Sequence, residues 1–154
     1  MPHIDLNANI HSMDEFEAKD RSVEVLVVDS NTCNDPSITH LDLSSFKHLR
    51  VFKVGDNSFA YVEELNLVEL DKLERVVIGE NCFSKVNSHG HFCLKHCRQV
   101  KELKMGCFSF CGYSACEIEN DDSLEVIEMG ELNKLSSNFY GGDCVLGSDC
   151  DAMK

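Results

Sequence analysis

The apolar positions of this chain recur in blocks. Five segments carry one pattern: "VEVLVVDSNTC" from Val23, "LRVFKVGDNSF" from Leu49, "LERVVIGENCF" from Leu73, "VKELKMGCFSF" from Val100 and "LEVIEMGELNK" from Leu124. Their starts lie 26, 24, 27 and 24 residues apart. Alternation within each block predicts a half-buried strand. A second alternating run follows in four of the repeats, with Leu41/Leu43, Leu65/Leu67, Phe92/Leu94 and Cys116/Ile118 on one side. Each repeat thus predicts a strand on either side of a flat coil. One coil cannot bury its apolar face alone, but stacked coils share a core.

The first three blocks fit the template L-x-x-L-x-L-x-x-N-x-L, which falls on Val23, Leu26, Val28, Asn31 and Cys33 and again on Leu49, Phe52, Val54, Asn57 and Phe59. The third copy uses Leu73, Val76, Ile78, Asn81 and Phe83. Template and period resemble a leucine-rich repeat, over residues 23–135. The unit "CRQVKELKMG" at Cys97 is similar to the BspA-like branch, although glycine follows the strand where that branch usually has proline. The expected fold is a β-rich repeat solenoid of about five coils with parallel strands. Cys33, Phe59, Phe83 and Phe110 line up as an aromatic spine near the turn. The resemblance implies an asparagine ladder, in which the amides of Asn31, Asn57 and Asn81 satisfy buried turn backbone. Phe108 and Leu132 replace that asparagine later, which predicts a looser or differently built turn. Gly55, Gly79, Gly106 and Gly130 share one register, where the backbone needs a positive φ or a close approach.

The ends depart from the repeat. In residues 1–22, Ser12 with Glu15 three residues on predicts a short capping helix. Residues 136–154 hold a degraded half-repeat around Cys144 and Leu146. No convincing terminal cap follows, so edge-to-edge self-association at that end, or continuation into a longer array, is expected.

Charge narrows the partners. A formal net charge of -13 over 154 residues repels phosphate backbones and anionic membranes. Nine cysteines without a secretory signal point to reduced thiols and a cytoplasmic location, or to a surface or secreted one if the chain is a fragment.

The ligand-rich stretch "HGHFCLKHC" reads differently in register. Phe92, Leu94 and Cys97 face inward, leaving His89, His91 and Cys93 as a partial surface site, short of the convergent ligands zinc needs. Cys107 and Cys111 fall on loop positions, and Cys116 on a core register. Asp143, Asp149 and Asp151 lack calcium-loop spacing. Cys93 beside His91 has no orienting third group at a recognisable spacing and no oxyanion hole. We therefore expect no enzyme activity, cofactor or metal.

The outward columns of the first strands read Val25, Val51, Arg75, Glu102, Val126 and Val27, Lys53, Val77, Lys104, Glu128. The resemblance implies a protein-protein interaction module, with Val51, Lys53, Arg75, Val77, Glu102 and Lys104 as the binding residues. The alternatives are a metal-binding surface module and a structural section of a longer scaffold.

Overall fold

The computed structural model describes residues 7–86, 90–119, 123–129 and 143–147. The chain is a β-solenoid of two parallel sheets facing each other across one core. In chain order its elements are β1 (Asn7–Ile10), α1 (Met13–Ala18), β2 (Val25–Val28), β3 (His40–Asp42), β4 (Val51–Val54) and β5 (Glu64–Val68). There follow β6 (Arg75–Ile78), β7 (Gly90–Lys95), β8 (Glu102–Met105), β9 (Tyr113–Glu119), β10 (Val126–Met129) and β11 (Asp143–Gly147). The first sheet runs β1-β2-β4-β6-β8-β10 and the second β11-β9-β7-β5-β3. From β2 onward, each coil is one strand of each sheet.

Register follows the apolar pattern. Leu26, Phe52, Val76, Leu103 and Ile127 are successive Cα partners, as are Val28, Val54 and Ile78. Across the core, Leu65 pairs with Phe92 and Phe92 with Cys116. A one-residue slip would expose a whole column at once, so each coil locks onto the last. Phe52, Phe59, Phe83, Phe92, Phe110 and Tyr113 are all fully buried. The Tyr113 hydroxyl donates to the Val62 carbonyl at 2.5 Å, which lets its phenol sit in the core.

The chain must turn from the first sheet to the second without leaving buried backbone groups unpaired. It does so with two left-handed residues separated by one residue. Asn31, Asn57 and Asn81 have φ of 58°, 58° and 56°, and Cys33, Phe59 and Phe83 have φ of 60°, 54° and 53°. The amide of Asn57 donates onward to Glu80 (2.9 Å), whereas that of Phe59 donates back to Thr32 (3.1 Å). The same two bonds recur at Asn81 and Phe83.

The residue between them closes the remaining gap. The Ser58 hydroxyl donates to the Asp29 carbonyl (2.7 Å) and accepts from the Thr32 amide (3.2 Å). Ser109 donates to Gly79 (2.5 Å) and accepts from Cys82 (3.1 Å). The Cys82 thiol donates to Gly55 at 3.0 Å. Thr32, Ser58, Cys82 and Ser109 therefore make the inner ladder. The asparagines differ from expectation: their side chains are exposed, and what they contribute is tolerance of the left-handed conformation. The Asn81 amide donates to Asn57 Oδ1 at 2.9 Å on the outside of the corner.

Phe108 also corrects the expectation of a rebuilt turn. It takes the asparagine position with φ 63°, and Phe110 follows at φ 59° and donates back to Cys82 (3.0 Å), so the corner keeps its left-handed pair. Its ring is 48% exposed. Leu132 lies outside the described residues, as does Gly130. At Gly55 and Gly106 close approach decides the residue: an added Cβ would lie 2.5 Å from the Ser30 nitrogen and 2.6 Å from the Glu80 nitrogen.

At the first end β1 pairs with β2, with Ala8 and Ile10 buried against the core. The sequence pattern does not predict this strand, because Asn7–Ile10 lies outside the repeated template that marks the other four-residue strands. The helix is where the capping box places it: Ser12 accepts from the Glu15 amide at 3.2 Å, and Glu15 reaches back to the His11 amide at 2.9 Å. It follows β1 where later coils carry a second-sheet strand, and it lays Phe16 on Phe46 with ring centroids 5.6 Å apart. Arg21 covers that ring at 4.3 Å. At the other end, Cys144 and Leu146 of β11 pair with Cys116 and Ile118, the half-repeat read from the sequence. Among the described residues no helix is long and apolar enough to cross a membrane.

Two stability outcomes follow from the corner. Phe83 stacks between Phe59 (5.5 Å) and Phe110 (4.7 Å), so Phe83→Ala should cost about 3–5 kcal/mol, read from the urea midpoint. Phe108→Asn should instead raise the midpoint, by about 0.5–1 kcal/mol equivalent, because asparagine tolerates this φ better than a bulky ring.

Candidate functional site

The outward face of the first sheet is built by strand register. Val25 pairs with Val51, Val51 with Arg75, Arg75 with Glu102, and Glu102 with Val126. Val27, Lys53, Val77, Lys104 and Glu128 run beside them. The six expected binding residues thus lie on one continuous face. Lys53 and Arg75 are exposed, while Val51, Val77, Glu102 and Lys104 are half-buried.

A third column, one residue earlier in each coil, completes the face. Backbone bonds link Arg50 to Glu24 (2.7 Å), Glu74 to Arg50 (2.7 Å), Lys101 to Glu74 (2.8 Å) and Glu125 to Lys101 (2.8 Å). Its charges alternate in sign from coil to coil. The sequence reading missed this column, although the alternation is visible once the repeats are aligned.

Most of these charges are already paired. Arg50 Nε lies 2.6 Å from Glu74, and its guanidinium 3.8 Å from Glu24. Arg75 Nε lies 2.7 Å from Glu102, which also receives Lys104 at 2.8 Å. Lys104 lies 3.8 Å from Glu128. Lys104 and then Arg75 hold the Glu102 carboxyl below its usual range, despite some desolvation. Among the described residues, Lys53, Lys101 and Glu125 have no counter-ion within 4.0 Å. Over the three columns, Arg50, Lys53, Arg75, Lys101 and Lys104 balance Glu24, Glu74, Glu102, Glu125 and Glu128. The face is neutral in a chain of net charge -13, so the acidic surplus lies elsewhere.

A shallow groove of about 410 Å³ runs across four coils of this face. Arg50, Val51, Glu74, Arg75, Lys101, Glu102, Glu125 and Val126 line it. Val51, Arg75 and Glu102 of the expected set are in it; Lys53, Val77 and Lys104 lie beside it. Val126 is 39% exposed at its end.

The second sheet carries the ligand-type residues. His91, Cys93 and Lys95 follow one another on the outer register of β7, against Ala115, Glu117 and Glu119 of β9. Cys93 takes an outward position yet is only 5% exposed. Glu117 Oε2 meets Lys95 at 2.6 Å, and its Oε1 lies 3.3 Å from His91 Nε2. Lys95, foremost, pulls the Glu117 carboxyl down from its usual range. Glu117 faces His91 at that distance without hydrogen-bond geometry, so it gives the imidazole no orienting bond. His89 lies outside the described residues, as do Asp149 and Asp151, and Asp143 opens β11. Among the described residues no group of three His, Cys, Asp or Glu side chains is placed to hold a metal ion.

Most of the described thiols are buried or hydrogen-bonded. Cys97 and Cys116 are fully buried and Cys107 nearly so, while Cys111 donates to the Ser84 carbonyl at 3.3 Å. Burial pushes the Cys33 and Cys82 thiols up to about 11, which keeps both protonated and poorly nucleophilic at neutral pH. No protein-family model, curated protein or solved structure matches this chain.

The lowered Glu102 and Glu117 carboxyls set a sign for the pH response. A depressed carboxyl stabilises the fold above its ordinary pKa, and that contribution is lost as pH falls through the folded value. Urea midpoints at about pH 7 and about pH 3.5 should fall less on acidification in Glu102→Gln with Glu117→Gln than in the parent chain. An unchanged slope would remove these pairs as the cause.

Proposed function

We propose that this chain is a non-catalytic interaction module of the leucine-rich-repeat type, of the BspA-like kind, that takes a protein partner in the cytoplasm. The partner docks on the outward face of the first sheet. The groove of about 410 Å³ across four coils carries this reading, because it coincides with the face the repeat pattern singles out. Three properties support it. The strands beneath are rigid and in register, so the side chains are held before a partner arrives. Val51 and Val126 supply apolar floor between charges. The neutral balance of the face leaves selection to short-range contacts, since long-range attraction needs a net field.

Charge reversal tests it. Arg75→Glu with Val77→Asp should abolish partner recovery in affinity capture quantified by mass spectrometry, while circular dichroism and the unfolding midpoint stay near the parent's. Both substitutions are on the solvent side of β6, so the core is not entered. Recovery at the parental level would move the binding site off this face.

A further inference from the structure

A second site lies on the outer corner, away from the strand face. A depression of about 200 Å³ opens there across three successive coils. Asn34, Asn57, Tyr61, Asn81, Ser84 and Lys85 surround it. In a chain with 27 Asp and Glu, it has no carboxylate in its lining. The nearest acid in sequence, Asp35, is occupied by the Ser37 amide (2.9 Å) and hydroxyl (2.8 Å).

Its polar groups are held in place but only partly satisfied. Asn34 is tied twice: its Nδ2 donates to the Asn57 carbonyl (2.8 Å) and its Oδ1 accepts from the Ala60 amide (2.9 Å). Asn81 Nδ2 donates to Asn57 Oδ1 (2.9 Å), and Ser84 donates to the Asn81 carbonyl (3.2 Å). Among the described residues, that leaves Asn57 Nδ2 as a donor and Asn81 Oδ1 as an acceptor with no partner, and the Tyr61 hydroxyl has none either. Lys85 has no counter-ion among the described residues and lies 5.7 Å from the Tyr61 ring centre. The left-handed backbone at Asn57 and Asn81, fixed by bonds to the neighbouring coils, sets the two amides side by side.

We propose that this depression binds a single sugar ring of a glycan. The class follows from the chemistry. No carboxylate is present to hold a cation, and one ammonium beside three neutral amides is a poor trap for a phosphate. What remains suits a neutral ligand dense in groups that both donate and accept. Vicinal hydroxyls can bridge Asn57 Nδ2, Asn81 Oδ1 and the Tyr61 hydroxyl, and the C–H face of a pyranose can lie along the tyrosine ring. The site is small and open, so millimolar affinity is expected.

The test is NMR titration of the ¹⁵N-labelled chain with glucose, mannose, galactose and N-acetylglucosamine, each to about 50 mM, with inorganic phosphate as the charged probe. At least one sugar should shift the side-chain amide signals of Asn57 and Asn81. Asn57→Gly with Asn81→Gly removes both amides while glycine keeps the left-handed backbone, so the fold should hold and binding should weaken at least about tenfold. No shift with any of the four sugars overturns the site. So does a response to phosphate alone, or sugar binding that survives in the double-glycine variant.

Discussion

The structure depends on how the backbone stays hydrogen-bonded while it turns a corner. In each coil the chain leaves the first sheet and must enter the second within a few residues. The pair of left-handed residues turns the amide of one toward the next coil and that of the other toward the previous coil. The hydroxyl or thiol between them satisfies what is left. Without that ladder, each coil would bury unpaired amides and carbonyls, and such groups cost about as much as a core contact contributes. With it, the second left-handed residue of three corners is carried into the core, and the stacked spine of Phe59, Phe83 and Phe110 follows.

That corner also explains why the outward face can serve recognition. Because the core columns and the ladder fix the register, the outer side chains need contribute little to stability. They are free to vary in charge from coil to coil, as Glu24, Arg50, Glu74, Lys101 and Glu125 do. Ion pairs such as Arg50–Glu74 and Arg75–Glu102 span adjacent coils and orient the side chains on the groove. Exposed pairs of this kind add little net stability. Their use is geometric: they hold charge in fixed places on a face that is neutral as a whole.

The ligand-type residues show how register changes the meaning of a motif. "HGHFCLKHC" concentrates histidine and cysteine in sequence, but alternation on β7 sends Phe92 and Leu94 inward, and the left-handed turn at His96 buries Cys97 just beyond the strand. The outer residues His91 and Cys93 meet Glu117 and sit beside Lys95, so His91 and Lys95 share one carboxylate. Cys93 is covered although its position points outward, because long ion-paired side chains fold over a short one.

The sequence by itself determined the solenoid, its period, the two strands per coil, the identity of the core columns and the N-terminal helix. It could do so because burial imposes a period of two along each strand, and stacking repeats that pattern from coil to coil. It also placed Val51, Lys53, Arg75, Val77, Glu102 and Lys104 on one face. The tertiary structure decided the rest. It made Asn31, Asn57 and Asn81 exposed left-handed residues and gave the inner ladder to Thr32, Ser58, Cys82 and Ser109. It put Phe108 into an asparagine's conformation, since bonds to the neighbouring coil outweigh a single residue's preference. It paired β1 with β2 and gathered the Asn57–Asn81 depression from three coils. Each of these is set by a hydrogen bond or contact between residues some 20 to 30 positions apart, and local pattern carries no record of such partners.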